Sequence, residues 1–214
     1  MKAEYSKLAL AAFTTSLTAV LAQIRFNVGP IPYTMQNMGV VMAGLLLPPA
    51  YATLSMGLYL LLIALGLPLA SGFTGGLAVV LGYTGGYLAG FVIASPLMSI
   101  LTRFYLRRKS VKLSQIGKRE VIVLLAISLI AVLPVYFLGF LVFSLYAIPG
   151  SKLYSWSSSV SSWIGLNGDS RILVLLVSSV LIFIPQDLFM DHLLAIVSSR
   201  AIAKLLEARG IRVD

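Results

Sequence analysis

Apolar residues run along this chain in long, nearly unbroken stretches, with neither the two-residue alternation of a half-buried strand nor the narrow stripe of a surface helix. Interrupting those stretches at glycine, proline and charge leaves six apolar segments, about 8–24, 35–47, 50–66, 77–102, 121–146 and 171–205. Runs such as Val121–Leu133 and Ile172–Ile184 extend, with their apolar flanks, to the roughly 20 residues an α-helix needs to cross a bilayer. A membrane barrel would instead show short alternating segments. The pattern predicts an all-α, polytopic membrane protein with six transmembrane helices, the chain 1–214 forming a single membrane domain. The second and third segments are short and meet at "LLLPPAY" (Leu45–Tyr51), where Pro48 and Pro49 force a tight turn. The first is rich in Thr, Ser and Ala and runs into a polar turn without a small-x-small cleavage site, so it reads as helix one rather than a removed leader.

Composition agrees with that reading. With 59% hydrophobic and 11% charged residues and a mean hydropathy of +0.97, too little polar surface remains to coat a water-soluble globule. The charge is unevenly placed: Lys2 and Lys7 precede helix one, Arg103, Arg107, Arg108, Lys109, Lys112, Lys118 and Arg119 lie between helices four and five, and Arg200, Lys204, Arg209 and Arg212 end the chain. Only Arg25, Lys152 and Arg171 remain for the other side. Basic residues stay mostly cytoplasmic, so both termini are expected in the cytoplasm of a multi-pass plasma-membrane protein. The net charge of +9 then reflects topology and contact with anionic lipids. A basic patch interleaved with aromatics is missing, which argues against nucleic acid as a partner. The chain has no cysteine, so thiolate chemistry and cysteine metal sites are excluded, and no metal or cofactor is expected.

Three stretches carry candidate chemistry. "SGFTGGLAVVLGYTGGYLAGF" (71–91) holds seven of the 18 glycines. Gly82, Gly86 and Gly90, spaced by four with Ala94 continuing the row, predict one helix face open to close approach by a neighbour. "SGFTGG" (Ser71–Gly76) precedes that helix at the outer edge; its glycines permit positive φ, Phe73 offers a ring, and Ser71 and Thr74 offer hydroxyls, which makes it a candidate ligand loop. "NVGPIPYTMQNMG" (27–39) points to the same side and places Thr34, Gln36 and Asn37 at the start of helix two. Gln36 and Asn37 are adjacent, so one is expected inward and the other at a helix end or between helices, the choice left open. In "IPQDLFMDHLLA" (184–195), Asp187 lies about 20 Å of helix rise before Arg200, in the outer half of the bilayer, with Pro185 opening the helix just ahead of it. An intramembrane carboxylate faces a cavity or a partner, Arg25 or Arg171 being the candidate ion pairs. The outer loop 147–170 places Trp156 and Trp163 seven apart, on one face of a short interfacial helix that is either an aromatic belt or a lid.

Taken in order, "GPIPYTMQNMGVVMAGLLLPPAYATLSMGLYLLLIALGLPLASGFTGG", "GYTGGYLAGF" and "IPQDLF" resemble the BioY family, the biotin-binding S components of energy-coupling-factor (ECF) vitamin transporters. The resemblance implies a six-helix membrane subunit that captures biotin from outside. It carries the pocket onto Ser71–Gly76, Tyr87 and Asp187: the carboxylate can accept from the ureido N–H groups, an amide or the Tyr87 hydroxyl can meet the carbonyl, and Phe73 with other apolar side chains would cover the sulfur ring and chain. The family's P-G-D-[LT]-I-K reads Pro185-Gln186-Asp187-Leu188-Phe189-Met190 here, so Met190 stands where the family has lysine. G-P-T-G-G reads Gly82-Tyr83-Thr84-Gly85-Gly86, and Thr74 stands where some relatives have arginine. The charge facing the biotin carboxylate then falls to Arg25, Lys152 or Arg171, or the ligand is a close relative of biotin.

S components also meet a transmembrane scaffold subunit through a small-residue face of helix one. Here Ala9, Ala12, Ser16 and Ala19 form such a stripe, suited either to a partner or to packing within the chain. No G-x-x-x-x-G-K-[ST] occurs, so energy for uptake would come from partner ATPase subunits or from the solute gradient. An alternative of another class is an intramembrane hydrolase or transferase built on Asp187, Asp191 and His192. A channel or scaffold would depend on the glycines alone.

Overall fold

The computed structural model describes residues 2–27, 29–165 and 170–211. Arg212 of the basic C-terminal group and positions 166–169 of the loop 147–170 lie outside the described residues. Helix α1 (Lys2–Leu21) leads into a small antiparallel hairpin, β1 (Arg25–Asn27) and β2 (Pro32–Thr34), in which Arg25 pairs with Thr34 and Phe26 with Tyr33. Helices α2 (Gln36–Leu46) and α3 (Pro49–Ala64) follow, separated by the expected turn. Leu47 is extended (φ −112°, ψ 145°), as a residue before proline must be, and Pro49 sits at the start of α3, where a missing N–H costs nothing.

The segment 77–102 is not one helix, and this corrects the sequence expectation. A single turn, α4 (Leu77–Val80), breaks before α5 (Gly85–Lys109), and Gly82 lies in the break. Gly82 therefore leaves the proposed row, while Gly86 and Gly90 remain in α5. A Cβ on Gly90 would lie 2.5 Å from the Val135 Cα, and one on Gly86 would collide with the Leu138 carbonyl, so these two glycines bring the backbone of α5 against its neighbour. That neighbour is α7 (Leu133–Tyr146), which follows α6 (Lys118–Ala131) after a break at Val132 caused by Pro134.

Helix α8 (Lys152–Trp163) forms part of the loop 147–170. Its two tryptophans differ in environment: Trp156 packs edge-on to Phe143, whereas Trp163, at the end of the helix, is 88% exposed. The last apolar segment runs through α9 (Arg171–Leu176), a π-helical turn at Val177–Leu181, the short α10 (Ile184–Gln186), a second π turn at Asp187–His192, and α11 (Leu193–Ala208). Pro185 cannot donate a backbone hydrogen bond, and the helix widens on both sides of it rather than stopping.

Among the described residues, three helical segments are long and apolar enough to cross a membrane: Gly85–Lys109, Lys118–Tyr146 and Arg171–Ala208. The α2 and α3 helices are apolar but shorter, at 11 and 16 residues. The buried face of α1 carries Thr14, Thr15 and Thr18. Thr14 and Thr15 reach Ser55 of α3, their Oγ1 atoms lying 2.8 and 3.1 Å from its Oγ. On the opposite side Ala9, Ala12 and Ser16 are exposed and face away from the chain's own helices, whereas Ala19 is half-buried against the core.

Candidate ligand-binding site

A cavity of ≈ 390 Å³ opens between the hairpin, the start of α2, the loop before α4, the α4–α5 junction, α7 and the last helical segment. Its size lies within the ≈ 300–1,000 Å³ typical of small-molecule sites. Apolar walls come from Ile31, Val79, Leu88, Phe91, Val135 and Phe183, and polar groups from Arg25, Thr34, Gln36, Asn37, Ser71, Thr74, Tyr83, Thr84, Tyr87, Tyr136 and Asp187.

Asp187 is 3% exposed and is the anionic group of this lining. Its Oδ2 accepts from the Asn37 amide at 2.9 Å and the Tyr136 hydroxyl at 2.6 Å. Neither Arg25 nor Arg171 pairs with it; Arg171 donates instead to the carbonyls of Ser144 (2.9 Å) and Ala147 (3.3 Å). Oδ1 has no hydrogen-bond partner among the described residues and is not sealed in the interior. The carboxylate thus has one oxygen held by the protein and one left toward the cavity.

The surrounding polar groups are fixed by neighbours. Thr34 donates to Gln36 Oε1 (2.8 Å), whose Nε2 donates to Tyr59 (2.8 Å), whose hydroxyl in turn donates to the Leu69 carbonyl (3.0 Å). This chain ties the hairpin and α2 to the loop that follows α3. Tyr87 donates to the Ser179 carbonyl at 2.7 Å, in the first π turn, and Tyr83 to the Pro30 carbonyl at 2.8 Å. Gly139 makes room for the Tyr87 ring, whose Cζ would lie 2.7 Å from a Cβ there. Tyr33 stacks on Phe183 with ring centroids 4.4 Å apart; burial, with the charge of Asp187 adding to it, pushes the Tyr33 phenol up to about 12 and keeps it neutral.

Of the residues singled out in the sequence, Asp187, Tyr87, Thr74, Ser71, Gln36 and Asn37 all line this one cavity. Gln36 and Asn37 both do so, because α2 begins at Gln36 and its first turn presents both to the same space. Phe73 does not line it. Its ring is 72% exposed, its φ is +56°, and its N–H is held by Gln23 Oε1 at 2.9 Å. Tyr136, Tyr83 and Phe183 were missed. The signal for Tyr136 was a phenol in an apolar helix two residues after Pro134, a polar tip that needs a buried partner.

Asp187, Asp191 and His192 do not assemble into a catalytic group. Asp191 and His192 are fully buried and absent from the cavity lining. Asp191 accepts from the Met38 N–H (3.2 Å) and Gln186 (3.4 Å), while His192 pairs with Ser128 at 2.9 Å. No cluster of three or more metal-ligating side chains occurs among the described residues.

Comparison with known proteins agrees with this arrangement. The profile described as "BioY family" matches residues 1–208. A "Probable biotin transporter BioY" of Pyrococcus horikoshii is 46% identical over 95 residues, 44% of this chain and 57% of the relative, so that match spans little more than half the relative's length. A "Biotin transporter BioY" of Lactococcus lactis subsp. cremoris is 32% identical over 183 residues, 84% of this chain and 82% of the relative. The crystal structure of the S-component for biotin from an ECF-type ABC transporter superposes with a TM-score of 0.69 and 29% identity, covering 94% of this chain and 92% of that one. With sequence profile and fold in agreement along nearly its whole length, the chain belongs to the BioY family.

Proposed function

We propose that this protein is the biotin-binding membrane subunit of a biotin uptake system and works with an ECF transmembrane scaffold and ATPase subunits. The observation that carries the reading is the buried Asp187, with one oxygen anchored and the other open to a cavity otherwise walled by apolar and aromatic groups. Biotin's ureido ring presents N–H donors that the free carboxylate oxygen accepts. Gln36, Asn37 and the hydroxyls of Tyr87, Ser71 and Thr74 order the polar side of the site, and Phe91, Val135 and Phe183 cover the sulfur ring and the chain. The exposed Phe73 ring, carried on the loop at the mouth, folds over the bound ligand as the outer loops close.

Six spans with both termini cytoplasmic in the plasma membrane fit the partition of basic residues, with α2 and α3 as short spans. The exposed face of Ala9, Ala12 and Ser16 on α1 supports a scaffold contact, since the chain's own helices leave it open. In this mechanism the ATPase subunits act through the scaffold, which reorients the loaded subunit to release biotin inside. The test is equilibrium binding of biotin to the detergent-purified protein, with thiamine as a control vitamin. Saturable binding of biotin alone is expected; binding of neither would refute the proposal.

A further inference from the structure

We propose that Arg25 is the specificity residue that recognises the anionic end of the ligand at the cavity mouth. The assignment rests on the biotin reading above and deepens it. Arg25 is the one cation among the described residues lining the cavity, and it stands at the exposed rim, whereas Asp187 is buried. Its guanidinium has no hydrogen-bond or ion-pair partner among the described residues, although Thr34 and Gln36 of the lining are bonded to each other. Lys152 and Arg171 do not line the cavity, and Arg171 is spent on two backbone carbonyls.

Two features hold Arg25 in place. Its backbone is registered against Thr34 in the hairpin, and Thr34 is bonded to Gln36. Its guanidinium packs over Gly72, where an added Cβ would lie 2.8 Å from the Arg25 Cζ, and Gly72 has φ +72°. The loop thus keeps a bare backbone where the guanidinium sits. The cavity has a hydrogen-bond acceptor inside and a forked cation at its entrance. A ligand with N–H donors at one end and a carboxylate at the other matches that polarity, and the arginine fork suits a carboxylate bidentately.

The charge pair sits at a solvated rim, so its worth is bounded. A fully exposed pair gives about five-fold in affinity, rising toward about thirty-fold as the seated ligand shields it from water. The experiment measures Kd for biotin and for uncharged biotin amide on the wild-type protein, R25Q, R25K and K152Q, at low and high salt. The wild type and K152Q are expected to prefer biotin over the amide by that factor, with the preference shrinking in high salt. R25Q is expected to bind both ligands at the wild-type amide affinity, and R25K to recover part of the preference. An R25Q protein that still prefers biotin, or a wild type with no preference, overturns the Arg25 assignment while the biotin reading stands. A wild type that binds neither ligand overturns both. Should R25Q lose the amide as well, the salt series on the wild type decides: a biotin affinity that follows the amide's overturns the assignment.

Discussion

Replacing Asp187 removes the only carboxylate that the described residues bring to the cavity, and the structure sets the size of the effect. Oδ2 is engaged by Asn37 and Tyr136, and Oδ1 has no partner among the described residues, which leaves it for a ligand N–H. A hydrogen bond to a charged acceptor contributes about 1.5–3 kcal/mol, against about 0.5–1.5 kcal/mol for a neutral one. Asp187→Asn keeps shape and volume but makes the acceptor neutral, so biotin affinity should fall by about 1–1.5 kcal/mol, or about five- to twelve-fold. Asp187→Ala removes the acceptor and leaves the Asn37 and Tyr136 donors facing an empty site, so about 10- to 150-fold is expected. Isothermal titration of the purified variants reads both, and thermal unfolding without ligand verifies that they fold. A folded Asp187→Ala protein that binds biotin within two-fold of wild type would show that the ligand does not use this carboxylate.

Three other perturbations bear on different parts of the structure. Gly90→Leu forces a side chain into the Val135 backbone of α7 and should cost about 3 kcal/mol or more of stability, read as a lower melting temperature in detergent; an unchanged transition would mean the helices are not in contact there. Ala12→Leu with Ser16→Leu on the exposed face of α1 should leave biotin affinity within two-fold while abolishing co-purification of a scaffold subunit, whereas undiminished co-purification would move the partner surface elsewhere. Phe73→Ala should raise the dissociation rate about three- to ten-fold with little change in association, because the ring acts only after the ligand has entered; stopped-flow measurements separate the two.

The sequence disclosed this fold where the physics is local and one-dimensional. Continuous apolar runs and Pro-Pro at 48–49 each act within a few residues; the first predicted a helical chain and the second the turn between α2 and α3. The errors lie where a tertiary contact decides the outcome. Gly82 has the spacing of a packing row, yet the chain breaks there so that Tyr83 and Thr84 can turn into the cavity and Tyr83 can reach the Pro30 carbonyl. The two π turns flanking Pro185 leave no compositional mark, because one extra residue per turn does not change hydropathy. Tyr136 carried only the weak signal of a phenol in an apolar helix, since its partner Asp187 is 51 positions away, and residue type alone does not show that Phe73 stands exposed rather than in the cavity wall.

The contact between Asn37 and Asp187 spans 150 positions and joins the second helix to the last. During synthesis the hairpin, α2 and the glycine loop emerge and insert long before the segment bearing Asp187. The cavity therefore has walls early but gains its carboxylate near the end of translation, after a loop closure of 150 positions. A ligand whose affinity depends on that group stabilises the finished subunit by mass action and leaves shorter nascent forms untouched. Vitamin in the medium would then act as a late folding ligand that favours survival of completed copies over stalled ones.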